Sequence, residues 1–219
     1  MASKIQTISK IITNEGIYAF FVKIFIYINK NIFGISKANI FELDLEKKYP
    51  KVDTGLKLIF RLATKKDIDS MNNEHYRYDQ KSKEFAKNRL EKGDRCVLAI
   101  HNGRIAGYIW VMKDYIELSP YKFLLLPKNK AYTYKAFVLN EYRGKRIHSA
   151  MYSYVVNMLK KEGKRFAISA VDRDNKPALK TKLKNRADYE IIGTLVHIKF
   201  FRLRHDYIKK KDLPRVKNP

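Results

Sequence analysis

One stretch constrains the fold more than any other: Phe137-Val138-Leu139-Asn140-Glu141-Tyr142-Arg143-Gly144-Lys145-Arg146-Ile147-His148. An apolar, strand-like run ends in a basic turn with a single glycine, and a long amphipathic helix begins directly after it. Ile147, Ala150, Met151, Tyr154, Val155, Met158 and Leu159 recur at helical spacing, so one face packs and the helix starts near Gly144 to Ile147. A helix N-terminus carries unpaired backbone N–H groups and the positive end of a dipole, which together attract phosphate oxygens. Strand, turn and helix in this order form a phosphate cradle, although Arg-Gly-Lys alone also suits a solvated turn.

The flanking elements give the turn its context. Leu56 to Leu62 alternates as a strand does. Thr64-Lys65-Lys66-Asp67 has the spacing of a capping box, hydroxyl at N-cap and carboxylate at N3, and launches a helix with Ile68 and Met71 inward. A second helix runs from about Ser82 to a stop at Gly93. Cys96 to His101 and Arg104 to Met112 flank Asn102-Gly103, the signature of a type I′ hairpin, because both turn residues must accept positive φ. Gly107 suggests a bulge, and His101 beside the turn reads as a surface residue. Lys113 to Lys130 reads as a long connection around Phe123-Leu124-Leu125-Leu126. Strand Ala131 to Leu139, the basic turn and helix Ile147 to Glu162 follow, with Gly163 as the stop. Then come strand Arg165 to Val171, helix Lys176 to about Arg186, and a strand pair, Tyr189 to Ile192 and Leu195 to Arg204, turned at Gly193-Thr194. The expected class is α/β (α+β), a mixed, mostly antiparallel central sheet flanked by helices, with an N-terminal amphipathic helical arm.

Residues 1–50 are set apart as that arm, 51–205 as one domain and 206–219 as a basic C-terminal tail. Ile17 to Ile28 is apolar except for Lys23, shorter than the roughly 20 residues that span a bilayer. As a helix it suits a lipid interface with lysines toward headgroups, or an apolar patch on its own domain. A signal peptide competes, but no small-residue cleavage site follows. The net charge of +24, from 46 Lys and Arg against 22 Asp and Glu, favours anionic partners: coenzyme phosphates, acidic lipid, nucleic acid or an acidic carrier. Cys96, the single cysteine, reads as a small buried hydrophobe, and no disulfide can form within the chain. No metal-ligand spacing is present.

Arg143-Gly144-Lys145 after an apolar strand resembles the pyrophosphate loop of the GNAT superfamily of acyl-CoA N-acyltransferases, whose pattern is Q/R-x-x-G-x-G/A. Arg143 fills the first position, while Arg146 and His148 stand at the two small positions. Asp174-Asn175-Lys176-Pro177-Ala178, opening a helix after the next strand, resembles the family's second segment, an Asn with a small residue three further on. The resemblance runs from about Leu56 to Leu203. It implies acetyl-CoA as acyl donor, entering where the strand at Phe137 to Leu139 splays from the strand at Ala167 to Val171. Phe137, Val138, Leu139, Arg143, Gly144, Lys145, Arg146, Ile147, His148 and Asn175 are its expected cofactor-binding residues, with pantetheine bonded to the backbone of Phe137 and Leu139.

In that family an acceptor amine attacks the thioester directly, so the chemistry needs a neutral amine and a proton for the departing thiolate. Lys182 stands where counting from Asn175 puts the family's thiolate-protonating Tyr, and Glu117 and Asp172 are the other catalytic candidates. The implied function is N-acetyl transfer to the primary amine of a small molecule, with an amino sugar of a surface glycan as the suggested acceptor. The expected location is cytoplasmic, peripheral on an anionic membrane through residues 1–35. Two readings compete: a basic nucleic-acid-binding module on the same scaffold, and a non-catalytic membrane-attached binder of acyl-CoA or acyl carrier.

Overall fold

In the computed structural model, described for residues 16–18, 21, 33–50, 52–71, 74–75, 81–112, 114–119, 122–184, 189–200 and 203–210, the hairpin forms as its turn chemistry demands. Asn102 and Gly103 take φ of 48° and 76° and join β3 (Arg95–His101) to β4 (Arg104–Met112) in antiparallel register. Before it come β1 (Phe33–Asp44), β2 (Ile59–Leu62), α1 (Lys65–Ser70) and α2 (Lys81–Glu91). After it come β5 (Tyr115–Ser119), β6 (Lys122–Leu125), β7 (Lys130–Val138), α3 (Ile147–Lys161), β8 (Phe166–Asp172), α4 (Lys176–Lys184), β9 (Tyr189–Phe200) and β10 (Leu203–Lys210).

The chain divides into two compact units. In the larger, residues 38–194, the strand order is β1-β8-β7-β4-β3-β2. Every pairing in it is antiparallel except β7 with β8, which is parallel. The smaller unit, residues 1–37 and 195–209, holds the start of β1, the end of β9 and β10, in the order β10-β9-β1.

Strand β3 shows why its sequence is apolar without a break: both faces are covered. Val97 and Ala99 join Ile109, Val111, Met151, Val155 and Leu159 in the core under α3, while Cys96 and Leu98 pack with Ile68, Met71, Ala86 and Trp110 under α1 and α2. Each fully buried Leu or Val here contributes about 1.5–3 kcal/mol. Cys96 is buried, and desolvation pushes its thiol up.

The capping box at α1 is formed on both sides. The Thr64 hydroxyl accepts from the Asp67 N–H, and the Thr64 N–H donates to Asp67 Oδ2 at 2.7 Å. Arg61 adds two bonds to the same carboxylate at 2.6 and 2.7 Å, holding its pKa well below the usual carboxylate range.

Four expectations are corrected. Residues 33–44, assigned to the arm, form a strand whose second half pairs residue by residue with β8, from Ala38 opposite Asp172 to Asp44 opposite Phe166. The larger unit begins at residue 38. Residues 113–130 contain a hairpin, β5 with β6, rather than a bare connection. Gly193-Thr194 do not turn the chain, since β9 runs through them. Lys209 and Lys210, expected in a tail, end β10. The apolar run Ile17 to Ile28 lies mostly outside the described residues, as does the chain beyond Lys210, and no helix among the described residues is long and apolar enough to cross a membrane.

Candidate active site

Strands β7 and β8 pair only from Lys130–Phe166 to Thr133–Ser169. The cause of their parting is visible on the other edge of β7. Tyr134 pairs with Trp110 and Phe137 with Tyr108, so Lys135 and Ala136 together oppose Ile109, and Lys135 takes φ of 45°. This bulge bends β7 away while it stays bonded to β4. The opening is a cleft of about 860 Å³, walled by Thr133 to Val138, Ser169 to Asp172 and the inner face of α4.

The basic turn and the start of α3 close one end of the cleft. A 3-10 turn, Asn140–Tyr142, leads into Arg143, and Gly144 and Arg146 adopt positive φ, 78° and 56°. Arg146 thus adopts the left-handed conformation where the family pattern carries a small residue, at a cost of about 1–2 kcal/mol for a side chain with Cβ. It is the N-cap of α3 and makes no side-chain cap. The first helical bond runs from the Ala150 N–H to the Arg146 carbonyl. The N–H groups of Ile147, His148 and Ser149 are therefore first-turn donors without intrahelical acceptors, and all three residues line the cleft.

Of the ten expected donor-site residues, eight line this cleft: Phe137, Val138, Arg143, Gly144, Arg146, Ile147, His148 and Asn175. Leu139 and Lys145 do not. Leu139 is buried, its N–H donates to the Ala106 carbonyl at 3.0 Å, and its carbonyl accepts from the Tyr142 N–H. Its N–H is thus committed to β4, and its carbonyl already accepts one bond where the resemblance implies a bond to pantetheine. Backbone groups alternate in direction along a strand, so Val138, the neighbour of Leu139, turns its polar groups away from β4. Its carbonyl accepts from Arg143 Nε at 3.2 Å. Lys145 Nζ lies 5.5 Å from the centre of the Tyr142 ring, outside the cleft. Asn175 caps α4 through its Oδ1, which accepts from the Ala178 N–H.

Lys182 and Asp172 line the cleft. Asp172 is exposed at its mouth, and its Oδ1 accepts from the Asp174 N–H. Glu117 falls in β5, opposite Phe123 in β6. Lys182 is buried, with Nζ 4.3 Å from the Tyr152 ring centre and 4.1 Å from that of Tyr189. Burial lowers its pKa to about 7. His148, beside it, is lowered to about 4 by burial and by the Lys182 charge. Lys182 Nζ, His148 Nδ1, Tyr152 Oη and Ser169 Oγ are all buried without a hydrogen-bond partner among the described residues. Sequence reasoning places His148 only in the donor loop and misses Tyr152 and Ser169. The spacing of four residues from His148 to Tyr152, which puts both on one helix face, is the signal that could have paired them.

A mixed sheet opened by a bulge between two parallel strands, with a helix N-terminus at the opening, is a frame for a phosphate-bearing ligand. The acetyltransferase (GNAT) family model matches residues 61–181, over half of the sequence. The chain belongs to this family. GNAT proteins use acyl-CoA as donor. The fold is similar to that of a conserved protein of unknown function from Staphylococcus epidermidis, with TM-score 0.56 and 14% identity, covering 81% of this chain and 66% of that one. It is also similar to the GCN5-related glucosamine N-acetyltransferase region of a fungal multi-domain GH3 β-N-acetylglucosaminidase, with TM-score 0.57 and 15% identity, over 81% of this chain and 22% of that one. The chain thus spans less than two thirds of the length of either structure. No curated protein matches it.

Proposed function

We infer that this GNAT protein transfers an acetyl group from acetyl-CoA to the primary amine of a small molecule, an amino sugar being the acceptor class tested first. The observation that carries the reading is the parting of β7 from β8 beyond Thr133 and Ser169, with first-turn N–H groups of α3 that have no intrahelical acceptor at one end of the gap. Ile147, His148 and Ser149 would meet the pyrophosphate, with Gly144 permitting close approach, and Val138 would meet the pantetheine. That the fungal neighbour is a glucosamine N-acetyltransferase region supports the amino-sugar class. Rate would come chiefly from holding amine and thioester together, which is worth roughly 7–11 kcal/mol at best.

The test has two stages. Acetyl-CoA at a hundredfold its Kd should stabilise the folded protein by about 2.7 kcal/mol. A panel of amino sugars and other primary amines, read by release of CoA thiol, should then identify an acceptor. Folded protein with no thermal shift at millimolar acetyl-CoA would refute the donor assignment. Binding without thiol release from any amine would leave a non-catalytic acyl-CoA binder.

A further inference from the structure

The most unusual side chain in the cleft wall is an amine. Lys182 projects from α4 between the rings of Tyr152 on α3 and Tyr189 on β9, and no carboxylate among the described residues bonds it. The groups around it are His148 and Tyr152 from α3, Ser169 from β8 and Tyr189 from β9, none of them an anion at neutral pH. Two tyrosine faces offset part of the cost of burying a cation, but without a counter-ion the neutral amine is favoured. With a pKa near 7, about half of Lys182 is neutral at pH 7, against roughly one in 10³ of a solvated lysine titrating near 10.4.

We propose that Lys182 is a self-acylation site, modified by the thioester donor held in the cleft that Lys182 lines. The proposal rests on the acyl-CoA reading given above. The lone pair of the neutral Nζ attacks the thioester carbonyl carbon, and a C–N bond forms. The C–S bond breaks, CoA leaves as thiolate, and the proton released from nitrogen passes to that thiolate. The products are one amide on Lys182 and one CoA thiol, with no other reactant. An amide is too stable to pass the acyl group on, so the product is a lasting mark rather than an intermediate. It accumulates when donor is present and acceptor is absent. Nζ is shielded from bulk solvent, and the side chain that carries it lines the cleft.

The experiment uses the full chain incubated with acetyl-CoA and no amine, followed by intact mass and peptide mapping across pH 6 to 10, with acetyl-CoA binding measured separately by thermal shift. The expected result is one acetyl on Lys182, competed away by free CoA, with a rate that levels off just above pH 7 while exposed lysines react faster up to about pH 10. The Lys182→Arg protein should acquire no acetyl in that peptide. Acetyl-CoA binding with Lys182 unmarked overturns the proposal and leaves the acyl-CoA reading standing. A mark that free CoA does not compete, or that follows the pH profile of exposed lysines, overturns it as well. Absence of any acetyl-CoA binding overturns both.

Discussion

Replacing Gly107 by alanine tests how tightly the cleft is framed. Gly107 lies in β4 opposite Val138, and a Cβ added there would stand 2.6 Å from the Phe137 carbonyl oxygen, 3.1 Å from Met151 Cε and 3.3 Å from Val138 Cα. Met151 is flexible at that end and can turn aside. The carbonyl is backbone and cannot. Ordinary contact begins at 3.4 Å, so 3.4 − 2.6 gives about 0.8 Å by which β4 and β7 must part. A shift of that size would stretch the bond from the Leu139 N–H to the Ala106 carbonyl, now 3.0 Å, beyond hydrogen-bonding range. Overpacking costs about 1–3 kcal/mol, and a lost backbone bond adds about 1 kcal/mol. The expected destabilisation is about 2–4 kcal/mol, measured by urea unfolding. Phe137 and Val138 line the cleft, so the stabilisation by acetyl-CoA should shrink in the same variant. Gly103→Ala is the control: its φ of 76° strains alanine by about 1–2 kcal/mol, but nothing lies within 4 Å of the added Cβ, and donor binding should be unaffected. A Gly107→Ala protein within about 0.5 kcal/mol of the parent, with unchanged donor binding, would refute the reasoning.

Arg146→Ala should weaken acetyl-CoA binding, because Arg146 lines the cleft, whereas Lys145→Ala should leave it nearly unchanged, because Lys145 lies against Tyr142; titration calorimetry on both variants decides. Thr64→Ala removes the N-cap of α1 and should lower stability by about 1 kcal/mol, seen as a lower urea midpoint at constant slope. Lys182 has a folded pKa near 7 and an unfolded value of about 10.4, so between these values the unfolded chain binds more protons and stability rises with pH. Lys182→Met should flatten that rise between pH 7 and 10, and superimposable unfolding curves across the window would show that Nζ is solvated in the folded protein. His148, held near 4 against a reference of about 6.5, adds a rise of the same sign between those two values, which His148→Phe should remove.

Signals confined to a few consecutive residues are legible in the sequence itself. The Thr64–Asp67 capping box, the Asn102-Gly103 turn and the stops at Gly93 and Gly163 all follow from φ preferences and hydrogen bonds spanning at most five residues. The basic turn before α3 is legible for the same reason: an apolar strand, a glycine and a 3.6-residue period occupy one continuous stretch. Tertiary structure alone decides features whose partners are far apart in sequence. Residues 38–44 form a strand because β8, over 120 residues later, offers an unpaired edge and a register that buries Ile40, Phe41 and Leu43. The bulge at Lys135 depends on its pairing with β4, and no glycine marks it. Gly193 sits inside β9, since a glycine permits a turn without requiring one. In the sequence Lys182 is one lysine among several on a basic helix; its character comes from Tyr152 and Tyr189, 30 residues before it and 7 after, which withdraw it from water, with no counter-ion among the described residues. Local propensity acts through neighbours along the chain, whereas burial and strand pairing act through neighbours in space, and the cleft is made by the second kind.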